Sequence, residues 1–269
     1  MKSLVCVVVE GICGVKFKSV LFYVLLFGLC YSVFLVVTFP AALLWHLTES
    51  RFMVPKELSV EQVSGTVWSG NAWVVVNLSQ FNLNSSGLLS WRVKPAAWLR
   101  GNVAVQVRLE SDIGDLRGEI AGSTSSQKVR VDSASLQLEQ LNPALQAQRV
   151  KLAGVLAMKN IELSAEDGVM AGASGQLYWP GGNVTYPAGR QLRNTDFPAF
   201  SGLIGFENGS VTVGIKDQDA AFDSISGVLD ADGWFKTKVR KRLIDIAGEP
   251  WKNSVSEKQV IFSVKRKLY

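Results

Sequence analysis

From Ser19 to Thr48 the chain runs for thirty residues without an Asp, Glu, Lys or Arg. Its apolar heart, SVLFYVLLFGLCYSVFLVVTF (Ser19–Phe39), would reach about 31 Å as a helix, the depth of a bilayer's hydrocarbon core. A buried helix in a soluble protein is seldom so long and so uniformly apolar. A secretory signal has an apolar region of roughly 7–15 residues and a small-residue cleavage site. This run is longer, and TFPAALLW after it offers no such exit. The segment therefore reads as an uncleaved membrane anchor. Lys2, Lys16 and Lys18 precede it against a single Glu10, whereas Glu49, Arg51, Lys56 and Glu57 nearly cancel after it. The positive flank stays in the cytoplasm. This predicts a cytoplasmic leader at 1–18, a span at 19–39, a membrane-proximal linker at 40–62 and a domain at 63–269 across the membrane. Pro40 ends or kinks the helix, and Trp45 and His46 suit the outer interface.

Reactive residues are scarce beyond the anchor. The chain holds one histidine, His46, and three cysteines, Cys6, Cys13 and Cys30, so no thiol follows Cys30. A disulfide framework, a thiolate zinc site and a Cys–His or Ser–His–Asp machine are excluded from the domain. GTVWSG (Gly65–Gly70) is glycine-rich but lacks the lysine of a phosphate loop. The carboxylate pairs Asp217/Asp219 and Asp230/Asp232 sit in turn-like contexts, where solvated acids are expected. No catalytic, cofactor-binding or metal-ligating residue is assigned. The formal net charge is +5, but ten Lys/Arg against three acids fall between Trp234 and Tyr269. The rest of the chain is slightly acidic, so the basic character is local. It suits a partner surface near the C-terminus rather than nucleic acid.

Beyond the anchor, apolar residues alternate with polar ones. Val103, Val105, Val107 and Leu109 share a face, as do Val211, Val213 and Ile215, and Val260, Phe262 and Val264. WFKTKVRKRL puts Phe235, Thr237, Val239 and Leu243 on one side, with Lys241 the exception, and Lys236, Lys238, Arg240 and Arg242 on the other. A period of two over many segments means half-buried antiparallel strands. Turn signals at Asn84–Gly87, Asp112–Gly114, Gly122–Ser126, Pro180–Asn183, Glu207–Gly209 and Ala231–Gly233 separate them. Pro95–Leu99 suits a short helix. Ser–Gly–x–aliphatic recurs with glycines at 65, 87, 175, 202 and 227, read as bends at strand starts that let a sheet curl. The basic stretch from Lys236 reads as a charged edge strand or as a docking ladder for acidic groups. The fold class is mainly β: one transmembrane helix, then a strongly curved antiparallel sheet, an open trough or sandwich-like.

Four segments in order carry a resemblance: GTVWSG, LLSWRVKPAAWLRG (Leu88–Gly101), ASGQLYWPGGNV (Ala173–Val184), and LDADGWFKTKV (Leu229–Val239) with Pro250–Trp251. The chain resembles the protein N family of the bacterial type II secretion system. Met1–Val15 departs from that pattern as an additional leader. The resemblance implies a single-pass inner-membrane protein with a periplasmic β-rich domain. It also implies an accessory part in exporting folded proteins through an outer-membrane secretin, with secretin or inner-membrane platform proteins as partners. Gly65, Thr66, Trp68, Gly70, Trp91, Pro95, Trp179 and Trp234 carry over as structural markers only, with Trp68 expected as a core anchor. GTVWSG is also similar to short motifs of the AsmA-type bridge proteins, which leaves a second reading: a groove that handles lipids or other amphiphiles. The discriminating feature is whether the apolar face of the sheet is covered.

Overall fold

The computed structural model describes residues 17–48, 58–78, 83–251 and 254–267. The expected leader, apart from residues 17 and 18, and part of the expected linker lie outside these residues. Helix α1 (Phe17–Thr38) is strongly apolar, and no residue of its candidate span, Val20–Thr38, is buried in the protein. That is the pattern of a helix whose solvent is lipid. Pro40 interrupts it, and α2 (Ala41–Thr48) follows at once. The stretch expected as a linker, 40–62, thus carries α2 and the first residues of a strand.

Six strands then form an unbroken antiparallel meander: β1 (Leu58–Gly65), β2 (Ser69–Leu78), β3 (Leu83–Val93), β4 (Val103–Ser111), β5 (Gly114–Gly122) and β6 (Ser126–Gln137). After the two-residue β7 (Lys151–Leu152), the sheet continues through β8 (Val155–Glu166) and β9 (Val169–Trp179). A hairpin, β10 (Gly182–Ala188) and β11 (Gln191–Phe197), leaves the sheet and pairs with β7 in a side sheet ordered β11-β10-β7. The main sheet resumes with β12 (Phe200–Glu207), β13 (Ser210–Asp217), β14 (Ile225–Leu229) and β15 (Trp234–Arg240). After helix α3 (Lys241–Ile246) it ends with β16 (Val260–Lys267). Its thirteen strands remain open, with β1 and β16 at opposite edges.

The register gives the sheet two unlike faces. Residues directly opposite in an antiparallel pair share a face. The partners run Ala72, Leu89, Leu109, Leu116, Ala134, Met158, Leu177, Gly202, Ile215, Ile225, Val239 and Phe262, one per strand from β2 to β16. A parallel row holds Trp91, Val107, Val131, Ile161, Ile204, Val213 and Val264, and a third holds Val93, Val105, Ile120, Val129 and Leu163. The opposite face is mainly polar, with exposed Trp73, Leu88, Tyr178 and Leu203 among its charges, and carries ion pairs such as Lys94–Glu119 (2.6 Å) and Arg130–Glu162 (2.7 Å). A one-residue slip would invert every row. Two bulges, in β6 opposite Arg117–Gly118 and in β8 at Lys159–Glu162, step the numbering by one so that the apolar rows continue unbroken. Bulges also add twist, which favours curling.

Three expectations change. Asn84–Gly87 lies inside β3. The basic strand stops at Arg240, since Lys241–Ile246 is helical, and it is an inner strand flanked by β14 and β16, so the charged edge is β16. Of the five repeated glycines, only Gly65 ends a strand; the other four lie within strands. Gly175, Gly202 and Gly227 face the apolar side, where a Cβ would meet Ile161 at 2.8 Å, Leu177 at 3.1 Å and Phe235 at 3.1 Å. They make room for large neighbours rather than bend the chain.

Candidate functional site

The apolar face is the unusual surface of this molecule. A sheet normally buries such a face beneath helices or a second sheet. Here the buried apolar side chains among the described residues are Ala41, Ala72, Ala104, Leu138, Ala173 and Phe200. Four of the six are alanines, so no large closed core exists among them. Ile120 is 52% exposed and Phe262 49%. The face is therefore an uncovered trough crossing the sheet from strand to strand. A hollow of about 320 Å³ lies along it, lined by Val74, Leu109, Leu116, Leu136 and Met158.

One part of the trough is roofed. The side sheet and α3 stand over β8, β9 and β12–β14 and wall a half-open apolar pocket of about 480 Å³. Its floor includes Leu177 and Ile215, its side wall Val184 and Phe197, and its roof Leu243 and Ile244. Trp179 makes the corner: its indole N–H donates to the Ala153 carbonyl (3.0 Å), and its ring stacks on Phe200 (5.9 Å between centroids). Gly181, at φ 89°, then turns the chain out into β10. The polar groups at the rim form a cluster. The Tyr186 hydroxyl donates to Glu249 Oε1 (2.9 Å), and Arg193 pairs with the same oxygen (3.4 Å). Burial, with Glu249 beside it, pushes the Tyr186 hydroxyl pKa above its ordinary value. The pocket is open at one side, so water can reach it. Water inside would find walls with few hydrogen-bonding partners.

The roof is held by an ion pair that sequence reasoning missed. Asp217 is 2% exposed, not a solvated turn residue. Arg242 donates to both of its oxygens, Nη2 to Oδ1 at 3.0 Å and Nε to Oδ2 at 3.3 Å, and the Ser224 hydroxyl adds a bond to Oδ2 at 3.2 Å. The Arg242 guanidinium holds the Asp217 carboxyl below the usual carboxylate range, against the opposing effect of burial. Arg242 is the second residue of α3, so this pair pins the helix over the pocket. The other basic residues of the supposed ladder are also engaged. Lys236 pairs with Asp230 (2.6 Å), and Arg240 donates to the Asp223 carbonyl. Lys238 alone remains exposed on that strand. On the edge strand, Lys265 lies over the Trp234 ring at 4.3 Å.

GTVWSG is the β1–β2 hairpin turn, and it joins the sheet to the anchor. Gly65 and Gly70 are register partners; Gly65 has φ 87°, and Thr66 N–H donates to the Ser69 carbonyl (2.9 Å). Val67 N–H reaches the Phe39 carbonyl (3.1 Å), and the Trp68 indole donates to Val36 (2.8 Å) at the end of α1. Trp68 is half-buried against Trp98, 4.9 Å between centroids, so it is a junction residue rather than a core anchor. Trp91 closes the turn from below by donating to the Val67 carbonyl (3.2 Å). No group of three or more His, Cys, Asp or Glu suited to a metal occurs among the described residues.

A family model described as type II secretion system (T2SS), protein N, matches residues 56–249, more than two thirds of the chain. The chain belongs to the type II secretion system protein N family. It is thereby a type II secretion component, as the resemblance of its four segments implies. The family match opens just before β1 and closes at Glu249, so it takes in the trough, the side sheet, α3 and the pocket rim. The anchor helix and β16 lie outside it. Comparison with curated proteins and with solved structures gave no match.

Proposed function

We propose that this type II secretion component is a non-catalytic, single-pass inner-membrane protein whose periplasmic trough shelters the apolar chains of lipids or similar amphiphiles beside the secretion machinery. The observation that carries the reading is the apolar face, three residue rows deep and uncovered over most of its length. In water such a face is unfavourable by about 25 cal/mol per Å² of apolar surface, so an apolar occupant is stabilised there. Its geometry fits supply from a membrane, because one corner of the trough is bonded to the last turn of α1. The test uses a photoreactive amino acid in the full-length protein in cells, at Val131 on the apolar face and at Arg130 on the polar face. Lipid adducts are expected at 131 and not at 130. Adducts at neither position, or equally at both, would rule the trough out.

A second reading, assistance through protein–protein contacts, draws on β16. This edge strand carries Lys265, Arg266 and Lys267 without an acid, beside exposed Phe262 and Val264. A free basic edge suits an acidic extended segment of a secretin or platform protein. Reversing Lys265 and Lys267 to Glu should weaken co-purification with those components at low salt, where exposed charges act over about 10 Å or more. Unchanged recovery would remove this reading.

A further inference from the structure

We propose that the pocket beneath α3 is a site for one long acyl chain, its methyl end buried between the main sheet, the side sheet and α3, and its polar end at the Tyr186–Arg193–Glu249 rim. This rests on the trough reading and adds a defined terminus to it. The trough elsewhere is open, but this stretch is walled on three sides, and its volume of about 480 Å³ lies within the roughly 300–1,000 Å³ of small-molecule sites. Its walls select against a peptide. A polypeptide entering it would bring an N–H and a C=O per residue and would find Leu177, Ile215, Leu243 and Ile244 in place of hydrogen-bonding partners. An acyl chain carries no such groups along its length. The rim offers the complementary polarity for a head, with a guanidinium and a phenol both beside one carboxylate. The roof is built for the purpose: a six-residue helix, too short to be stable alone, is fixed by the buried Asp217–Arg242 pair so that Leu243 and Ile244 face the hollow. The chain could come from a free fatty acid or from a diacyl phospholipid.

The experiment reconstitutes the full-length protein in lipid nanodiscs. One arm contains a phosphatidylethanolamine with a diazirine at the end of one acyl chain; the other receives a fatty acid with the same terminal diazirine. After irradiation, labelled peptides are mapped by mass spectrometry. Label on peptides carrying Leu156, Phe197 or Ile244 in either arm supports the site, and the arm that gives it identifies the source. Leu156→Trp fills the floor and should abolish label there while label at Val107 and Val131 persists. Ile225→Trp, filling a different part of the floor, is the second variant should the first fail to fold, judged by circular dichroism. Label along Val107 and Val131 with none in the pocket would overturn the site and leave the trough standing. Label in neither would overturn both. Pocket label that survives a folded, filled variant would also overturn the site.

Discussion

Trp68 adds side-chain contacts to a junction that the Val67–Phe39 backbone bond and the Pro40–Thr66 bridge also hold. Its indole bond to Val36 and its contact with Trp98 make it a tie between anchor and sheet. Removing a buried aromatic from a core costs about 3–5 kcal/mol. Trp68→Ala should cost less, because a hydrogen bond contributes about 0.5–1.5 kcal/mol and an aromatic pair about 0.5–1.5 kcal/mol beyond its area. A double-mutant cycle with Trp98→Ala, read by denaturant unfolding of the full-length protein, should return a coupling of that second size. Zero coupling would make the ring contact incidental. The sequence marked Trp68 as important but could not show its burial, since the partner at Val36 lies thirty-two residues away. Asp217 was harder to read. Its neighbours, Lys216, Gln218 and Asp219, look like any solvated turn, and only the fold brings Arg242 to it. Because its carboxyl is held low in the folded chain, the native state binds fewer protons than the unfolded one. The pair's contribution is present above the unfolded value of about 3.9 and is lost as pH falls through the lower folded value. Melting temperatures of wild type and Asp217→Asn, measured from neutral pH into acid, should therefore differ most at neutral pH and converge in acid. A difference that is constant with pH would separate Asp217 from this account.

At the level of elements, alternation exposed the strands and hid what ends them. The period of two in KTKVRKRL breaks only at Lys241 and resumes at Leu243, and one exception in an alternating run does not announce α3. The helix forms because β15 has ended and Arg242 has a buried partner, a tertiary cause. The continuity of the trough is likewise a property of register. Each strand shows its own apolar side, but nothing in one strand says that Leu109 will meet Leu116 and Met158 will meet Leu177. The hairpin GTVWSG was recognisable as a bend, and its second glycine has a sharper requirement than flexibility. A Cβ on Gly70 would lie 2.3 Å from the Ser64 carbonyl oxygen and 2.5 Å from the Trp91 ring. Gly70→Val should therefore part β1 from β2 while leaving the far end of the sheet intact. Hydrogen exchange should show faster amides across Leu58–Gly65 with unchanged protection in β12–β15. Uniform loss across the sheet would mean that the domain unfolds as one unit.

For the whole molecule, the lysines before the anchor predict its orientation. Alkaline phosphatase fused after Tyr269 should be active and after Lys16 inactive; the reverse pattern would put the trough in the cytoplasm. The strand order has a further consequence for how such a domain is made. From β1 to β6, and again from β12 to β16, each strand pairs with the one synthesised just before it. Local pairings of this kind close short loops and form quickly. A chain threaded through a translocation pore from its anchored end can therefore add strands one at a time, each meeting a template already in place. Longer waits come at β8, which must reach β6 past residues 138–154, at β16, which must reach β15 past α3, and at β12, which must reach β9 across the protruding β10–β11 hairpin. A ribosome or translocon that stalls before one of these points would leave a shorter sheet already built at the membrane, and one that stalls later would leave a longer one.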